Sequence, residues 1–183
     1  MRGMKTRHLL PAVVVAAATT LALPDVASAQ QIGTQRRFGL GIVAGYNGLG
    51  LSLNYFMNPA LSLQIDPVIW ARGSSFLLGA RVDAVFWPAP LARWQAADLR
   101  WFVGPGVWFA LVNGGYYRFG DNYFYRGDGF GLAIEGTIGL GVQFRGVPID
   151  LNLEIIPRMW LFAPGGLEVF FDLGAALNAR YYF

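Results

Sequence analysis

Apolar and polar side chains alternate along most of the chain, in eight segments that begin at Phe38 and continue to the last residue. In each segment one set of alternate positions is apolar, and short stretches rich in Gly, Pro and Asn separate the segments. A period of two is typical of a β-strand with two different faces, and Asn47-Gly48 is a strong hairpin signal. The predicted strands cover residues 38–46, 49–57, 61–70, 76–86, 99–111, 130–145, 149–161 and 167–183.

The two faces of these segments differ in a way that favours a membrane barrel over a soluble sheet. The apolar face carries no charge in any segment, whereas the opposite face mixes Arg, Asp and Glu with residues such as Trp70, Phe102 and Phe170. That mixture suits a crowded lumen better than open water, and an even number of strands leaves no unpaired edge. The prediction is an all-β, eight-stranded antiparallel up-and-down transmembrane β-barrel. A soluble periplasmic barrel is the structural alternative.

Residues 1–29 have the organisation of a secretory signal peptide. Three basic residues precede an apolar stretch from Leu9 to Leu23, and Ala27-Ser28-Ala29 forms a small-x-small cleavage site. The predicted mature chain, 30–183, is one barrel domain with 11 basic and 10 acidic residues. The whole chain's formal charge of +3 therefore depends on residues that are removed, and it does not indicate a nucleic-acid partner.

The last segment carries the most specific signal. The chain ends in Tyr181-Tyr182-Phe183, with apolar residues at every second position back to Leu167. This ending resembles the C-terminal strand of bacterial outer-membrane barrels, which ends in an aromatic residue and is read by the barrel assembly machinery. With its leader, the chain resembles small eight-stranded outer-membrane barrels of the OmpA/OmpX type. The resemblance implies that Tyr181 and Phe183 form an assembly signal.

The same resemblance implies a location and a set of partners. It places the protein in the outer membrane of a diderm bacterium as a monomer that contacts outer-membrane lipids, with both termini in the periplasm. It also implies a structural or surface-interaction role. Two features depart from the pattern, because three outer loops are short and the periplasmic connection 88–98 is long.

The residues that most outer-membrane barrel enzymes use for catalysis are missing from the predicted mature chain. The protein has no Cys, and its one histidine, His8, lies in the leader. Enzymes among outer-membrane barrels depend on a histidine as general base or triad member, and transition-metal sites need His or Cys. We therefore expect no enzymatic activity, no cofactor and no metal site. The missing histidine disfavours a lipid-modifying enzyme. The alternative for catalysis is a pair of Asp or Glu side chains in the lumen, and no particular pair stands out in the sequence.

The charged residues of the polar face are expected to lie in the lumen, and two interpretations are open. Paired with one another they would plug the barrel, because an eight-stranded interior has room only for side chains and each desolvated charge needs a partner. Unpaired, they would line a narrow path for ions or small solutes. The plug is favoured. The predicted luminal charge network consists of Arg81, Asp83, Arg100, Glu135, Glu154, Arg158 and Asp172, with Asp66, Arg145, Asp150 and Arg180 as further luminal charges.

A Pro-x-x-Trp spacing occurs three times, at 67–70, 105–108 and 157–160. Each proline removes one ladder hydrogen bond. If each proline lies in a bulge, the tryptophans turn to lipid and Arg158 turns with them, at a cost of about 2–4 kcal/mol near the midplane. A regular register is therefore favoured. It predicts a luminal layer near the outer mouth formed by Trp70, Trp108 and Trp160.

The longest outer loop, 113–128, is rich in aromatic residues and arginine. An exposed cluster of this kind resembles a recognition surface for an extracellular ligand. The alternative is a hairpin that extends the strands past the membrane, with Gly120-Asp121-Asn122 at its tip. The recognition candidates are Tyr116, Tyr117, Arg118, Phe119, Tyr123, Phe124, Tyr125 and Arg126.

Overall fold

The computed structural model describes residues 32–46, 48–72, 75–113, 116–119, 123–126, 128–163 and 166–183. The signal peptide predicted at 1–29 lies outside the described residues. No helix in the described part of the chain is long and apolar enough to cross a membrane.

Eleven strands lie within the described residues, and eight of them form a closed antiparallel barrel. The strands are β1 (Phe38–Gly45), β2 (Gly48–Asn58), β3 (Leu61–Arg72), β4 (Ser75–Phe86), β5 (Ala92–Arg93), β6 (Ala97–Asn113), β7 (Tyr116–Phe119), β8 (Tyr123–Arg126), β9 (Gly129–Phe144), β10 (Ile149–Ala163) and β11 (Gly166–Tyr182). Neighbours follow the order β4-β3-β2-β1-β11-β10-β9-β6, and β4 pairs with β6 to close the circle. The predicted all-β, eight-stranded antiparallel barrel is confirmed.

The barrel has two ends with different connections. The terminal end holds the start of β1, the end of β11 and the connections after β2, β4 and β9. The loop end holds the connections after β1, β3, β6 and β10. At the loop end Gly48 has a φ of 124°, a value that a residue with a Cβ rarely adopts. Its place at the first hairpin agrees with the turn signal in the sequence.

Three short strands lie outside the barrel circle. Strand β5 pairs with the start of β6 through Ala92–Leu99 and Arg93–Asp98. The sequence predicts only a connection here, because two residues are too few to show a period. Strands β7 and β8 pair from Tyr116–Arg126 to Phe119–Tyr123. Their backbone has the arrangement of the hairpin interpretation, and the side chains of these eight residues lie outside the described ones.

The three prolines of the Pro-x-x-Trp repeats leave the strand register unchanged. Each proline lacks a backbone N–H, so the pairing with one neighbouring strand is interrupted at that residue. The pairing with the other neighbouring strand continues in register. The retained pairs are Pro67–Ala80, Pro105–Gly136 and Pro157–Leu173. Register shifts occur after Phe56 and after Trp160 instead. The side chains near the prolines therefore keep the facing that a regular strand gives them.

The interior is divided into three layers along the barrel axis. Nearest the terminal end is the terminal aromatic layer, formed by Phe56, Val85, Trp87, Phe102 and Tyr182. Toward the loop end lies the loop-end aromatic layer, which includes Trp108, Trp160 and Phe170 and small apolar residues, with Trp70 packed against it. Between them lies the charged layer, formed by Asp66, Arg81, Asp83, Glu135, Asp150, Glu154, Arg158, Asp172 and Arg180.

Candidate functional site

Each arginine of the charged layer faces a carboxylate directly across a strand pair. The register places Arg81 opposite Asp66, Arg158 opposite both Glu135 and Asp172, and Arg180 opposite Asp150. Cross-strand partners on one face have neighbouring Cβ atoms, so such pairs form without distortion. The strand register alone therefore brings most of the charges together.

Arg81 is the centre of the largest cluster. Its Nε lies 2.9 Å from Asp66 Oδ2 and 3.0 Å from Asp83 Oδ2, and its Nη2 pairs with Glu154 from β10. All four side chains are buried, with Arg81 3% exposed and the three acids fully enclosed. Gln64 ties the acids together, because its Nε2 donates to Asp66 at 2.9 Å and to Glu154 at 3.0 Å. The cluster joins β3, β4 and β10 across the lumen.

Arg158 combines ion pairs with aromatic contacts. Its guanidinium lies 2.7 Å from Glu135 and 3.8 Å from Asp172. The guanidinium carbon lies 4.7 Å from the ring centre of Trp108 and 5.8 Å from that of Trp160. Cation–π attraction is strengthened where water is absent. Arg158 therefore links the charged layer to the loop-end aromatic layer.

Arg180 organises the side of the charged layer nearest the terminal end. Its Nε and Nη2 donate to Asp150 at 3.1 and 3.2 Å, and its Nη1 donates to Gln64 at 2.8 Å. The Tyr182 hydroxyl donates to Asp150 at 2.8 Å and accepts from Asn54 at 3.0 Å. Tyr182 thus belongs both to this network and to the terminal aromatic layer.

Several polar members of the network were not selected from the sequence. Gln64, Asn54 and Asn178 are fully buried and bond to the charged residues, the last through a 2.7 Å bond to Glu154. Their only sequence signal is that they share the inward-facing positions of their strands. Amide side chains on a predicted luminal face are therefore candidates for such a network in the same way as charged side chains.

The charged layer contains more acid than base. Three arginines face six carboxylates within the described residues. In an environment of low dielectric constant, such an excess favours small cations over anions. A cavity of about 20 Å³ beside Asp66 and Arg81 has room for about one water molecule. Side chains therefore fill the part of the lumen around Arg81.

Aromatic layers cover the charges on both sides. Trp108 and Trp160 are each 1% exposed, and Trp70, the third predicted member, is partly buried against them. Trp160 stacks on Phe170 with ring centres 5.7 Å apart. At the terminal end, Trp87 lies 4.5 Å from Phe102 between ring centres.

Two other predicted sites lie at the barrel ends. Arg100, assigned to the charge network, is placed below the terminal aromatic layer, where it stacks on Trp87 and does not pair with the charged layer in the described structure. Tyr181 and Phe183 face outward with ring centres 5.0 Å apart, and the Phe183 amide donates to the Phe38 carbonyl at 2.9 Å.

The outer wall of the barrel is apolar around its circumference. No charged side chain stands on the outward face of the described barrel strands, and large apolar residues on every one of them are exposed. Exposed examples from different strands include Leu51, Ile69, Leu111, Ile138, Ile155 and Leu173.

No known family model and no curated protein matches this chain by sequence. The residues that the structure describes contain no group of three or more His, Cys, Asp or Glu side chains arranged to hold a metal ion.

Proposed function

We propose that the protein is an outer-membrane β-barrel of a diderm bacterium, with a structural or surface-interaction role and a lumen that its own side chains plug. The observation that carries this proposal is the inverted distribution of polarity between wall and interior. Soluble β-barrels bury apolar side chains and expose polar ones. Here, charged residues such as Arg81 and Glu154 are buried, while the exposed wall is apolar. Exposed apolar area on this scale marks a surface that contacts lipid or protein.

The proposed orientation follows the resemblance to OmpA/OmpX-type barrels. The terminal end would face the periplasm, and the hairpin β7–β8 would project from the opposite side. Tyr181 and Phe183 at the end of β11 would serve the assembly machinery. The eight aromatic and arginine residues of the hairpin remain the candidates for an extracellular ligand.

Tryptophan quenching in bilayers tests the membrane location. Single-tryptophan variants that retain Trp101, which faces outward, or Trp160, which is buried inside, would be reconstituted with brominated lipids. We expect strong quenching of Trp101 and little quenching of Trp160. A protein that stays dispersed in detergent-free buffer, with neither tryptophan quenched, would contradict the proposal. Strong quenching of Trp160 would contradict the sealed interior.

Planar-bilayer recording tests the plug. The ion pairs of Arg81, Arg158 and Arg180 and the two aromatic layers support a barrel without steady conductance. Reproducible open-channel currents from the purified protein would favour a narrow pore instead. We also propose that the protein is not an enzyme, because the predicted mature chain has neither histidine nor cysteine.

A further inference from the structure

A cavity of about 550 Å³ lies at the terminal end, outside the terminal aromatic layer. Its walls come from the start of the described chain, the turn after β2, the β4–β6 connection, the start of β6 and the end of β9 with the residue that follows it. The volume falls in the range of small-molecule sites, about 300–1,000 Å³. The cavity is separate from the charged layer, so what it binds does not depend on the proposed function.

The cavity is basic. Arg93, Arg100 and Arg145 all line it, and Asp98 is the one carboxylate among its lining residues. Asp98 is already engaged, since its Oδ1 accepts from Arg145 Nε at 3.2 Å and from Nη2 at 2.5 Å. Arg93 and Arg100 therefore form no ion pair in the described structure, although Asp98 still attracts Arg100, and the repulsion between the two arginines favours an anion between them.

Arg100 is held in place by neutral groups. Its Nη2 donates to the carbonyls of Trp87 and Pro88, each at 3.1 Å, and its guanidinium carbon lies 5.5 Å from the centre of the Trp87 ring. Its Nε is buried and has no hydrogen-bond partner in the described structure. Carbonyl dipoles and a ring face fix this guanidinium, and Asp98, which is already paired with Arg145, offsets only part of its charge. Arg100 is therefore preorganised and still attractive to an anion.

From these observations we propose that the terminal cavity is an anion site that takes a phosphate group. A tetrahedral phosphate offers enough oxygens for several guanidinium groups at once, whereas a carboxylate offers two. Arginine forks also match phosphate geometry better than they match spherical ions such as chloride. The phosphate could come from a soluble compound or from a phospholipid headgroup, and both share this chemistry.

Calorimetric titration of the full chain in dodecylmaltoside tests the proposal, with inorganic phosphate in one arm and phosphatidylglycerol added to the micelles in the other. We expect saturable binding in at least one arm, at constant ionic strength set by chloride. The double variant Arg93→Gln/Arg100→Gln should weaken it about a hundredfold, because it removes the two guanidinium groups that form no ion pair and each lost charged hydrogen bond is worth roughly tenfold. Binding of phosphate alone identifies a soluble source, and binding of the lipid alone identifies a headgroup.

The matched control is Arg36→Gln/Arg37→Gln, which removes two charges near the same end from residues that do not line the cavity. It should change the affinity by less than about twofold, since it removes only long-range attraction. Equal weakening by both double variants would overturn the site in favour of a diffuse basic surface, and no saturable binding in either arm would overturn it outright. If the Arg100 variant fails to fold, Arg93→Gln alone decides, because Arg93 is exposed on β5 and its loss should still weaken binding about tenfold.

Discussion

The charged layer and the terminal mouth of the barrel contain the same kinds of ion pair in different surroundings. Arg81 and its three carboxylates are 0–3% exposed, whereas Arg145 and Asp98 at the mouth are 31% and 25% exposed. Bulk water can replace either partner at the mouth, whereas the space beside Arg81 in the charged layer has room for about one water molecule. Burial, and not pair geometry, therefore decides which of these arginines the fold depends on.

The charged layer also restricts the register of the barrel. Its arginines face acids on the next strand, as in the Asp66–Arg81 and Asp150–Arg180 pairs. A slip of one residue would turn every side chain of a strand to the other face and leave guanidinium groups on the apolar wall. The Arg145–Asp98 pair at the terminal mouth imposes no comparable restriction on the register, because a charge that is displaced there still reaches water.

Replacing Arg81 by Met is the strongest test of this difference. The change leaves Asp66, Asp83 and Glu154 buried without their shared counter-charge. We expect the free energy of unfolding to fall by about 3–5 kcal/mol, the range for breaking a buried ion pair. Urea titration in micelles, followed by the heat-modifiable migration of the barrel on gels, measures it. Arg145→Met is the control, and an equal loss for both variants would remove the distinction between the layer and the mouth.

A guanidinium placed on the outer wall would meet a third kind of surroundings. Ile155 faces outward near the middle of β10, one position from the buried Glu154. In a bilayer we expect Ile155→Arg to cost about 2–4 kcal/mol, because the new charge meets acyl chains instead of carboxylates. Folding equilibria in phospholipid vesicles measure this cost.

Leu91→Arg provides the control for depth. Leu91 is exposed in the β4–β6 connection at the terminal end, where an arginine near the interface should cost about 0–1 kcal/mol. Equal, negligible costs at both positions would indicate that the wall faces water.

Tight packing of the loop-end aromatic layer predicts a third, smaller effect. A Cβ at Gly131 would lie 2.7 Å from the Trp160 ring, so Gly131→Ala should destabilise the barrel by about 1–3 kcal/mol through overpacking. Gly146, whose added Cβ would meet nothing within 4 Å, is the control, with an expected change within about 0.5 kcal/mol. Urea midpoints of the two alanine variants measure the contrast. Full tolerance of alanine at Gly131 would show that the layer is loose.

The strands and their two faces could be predicted from the sequence because a period of two is a local signal. Even the prolines did not obscure it, since the register passes Pro157 without a shift and Arg158 stays inside. What the sequence could not show is which groups meet across the lumen. Arg180 donates to Gln64, yet the two residues stand on β11 and β3, which are separated by β1 and β2. Such a contact depends on barrel curvature, which no short segment encodes.

The terminal end was harder to predict for a related reason. Trp87 follows the end of β4 and turns under the barrel, where its Nε1 donates to Ser62 at 2.8 Å. Outside a strand there is no alternation to give its direction. Strand β5 is likewise too short for a pattern, so the cavity beside it had no signature beyond Arg93, Arg100 and Arg145 themselves.

The Arg145–Asp98 pair at the mouth should give the smallest effect. A double-mutant cycle with Asp98→Asn and Arg145→Gln should give a coupling energy below about 1 kcal/mol, because both side chains remain in contact with water. Raising the salt concentration from about 0.1 to 1 M shortens the screening length from about 10 to 3 Å and should reduce that coupling further. Unfolding curves of the four proteins at two salt concentrations measure it. A coupling of several kcal/mol that salt leaves unchanged would show that the mouth behaves as an interior.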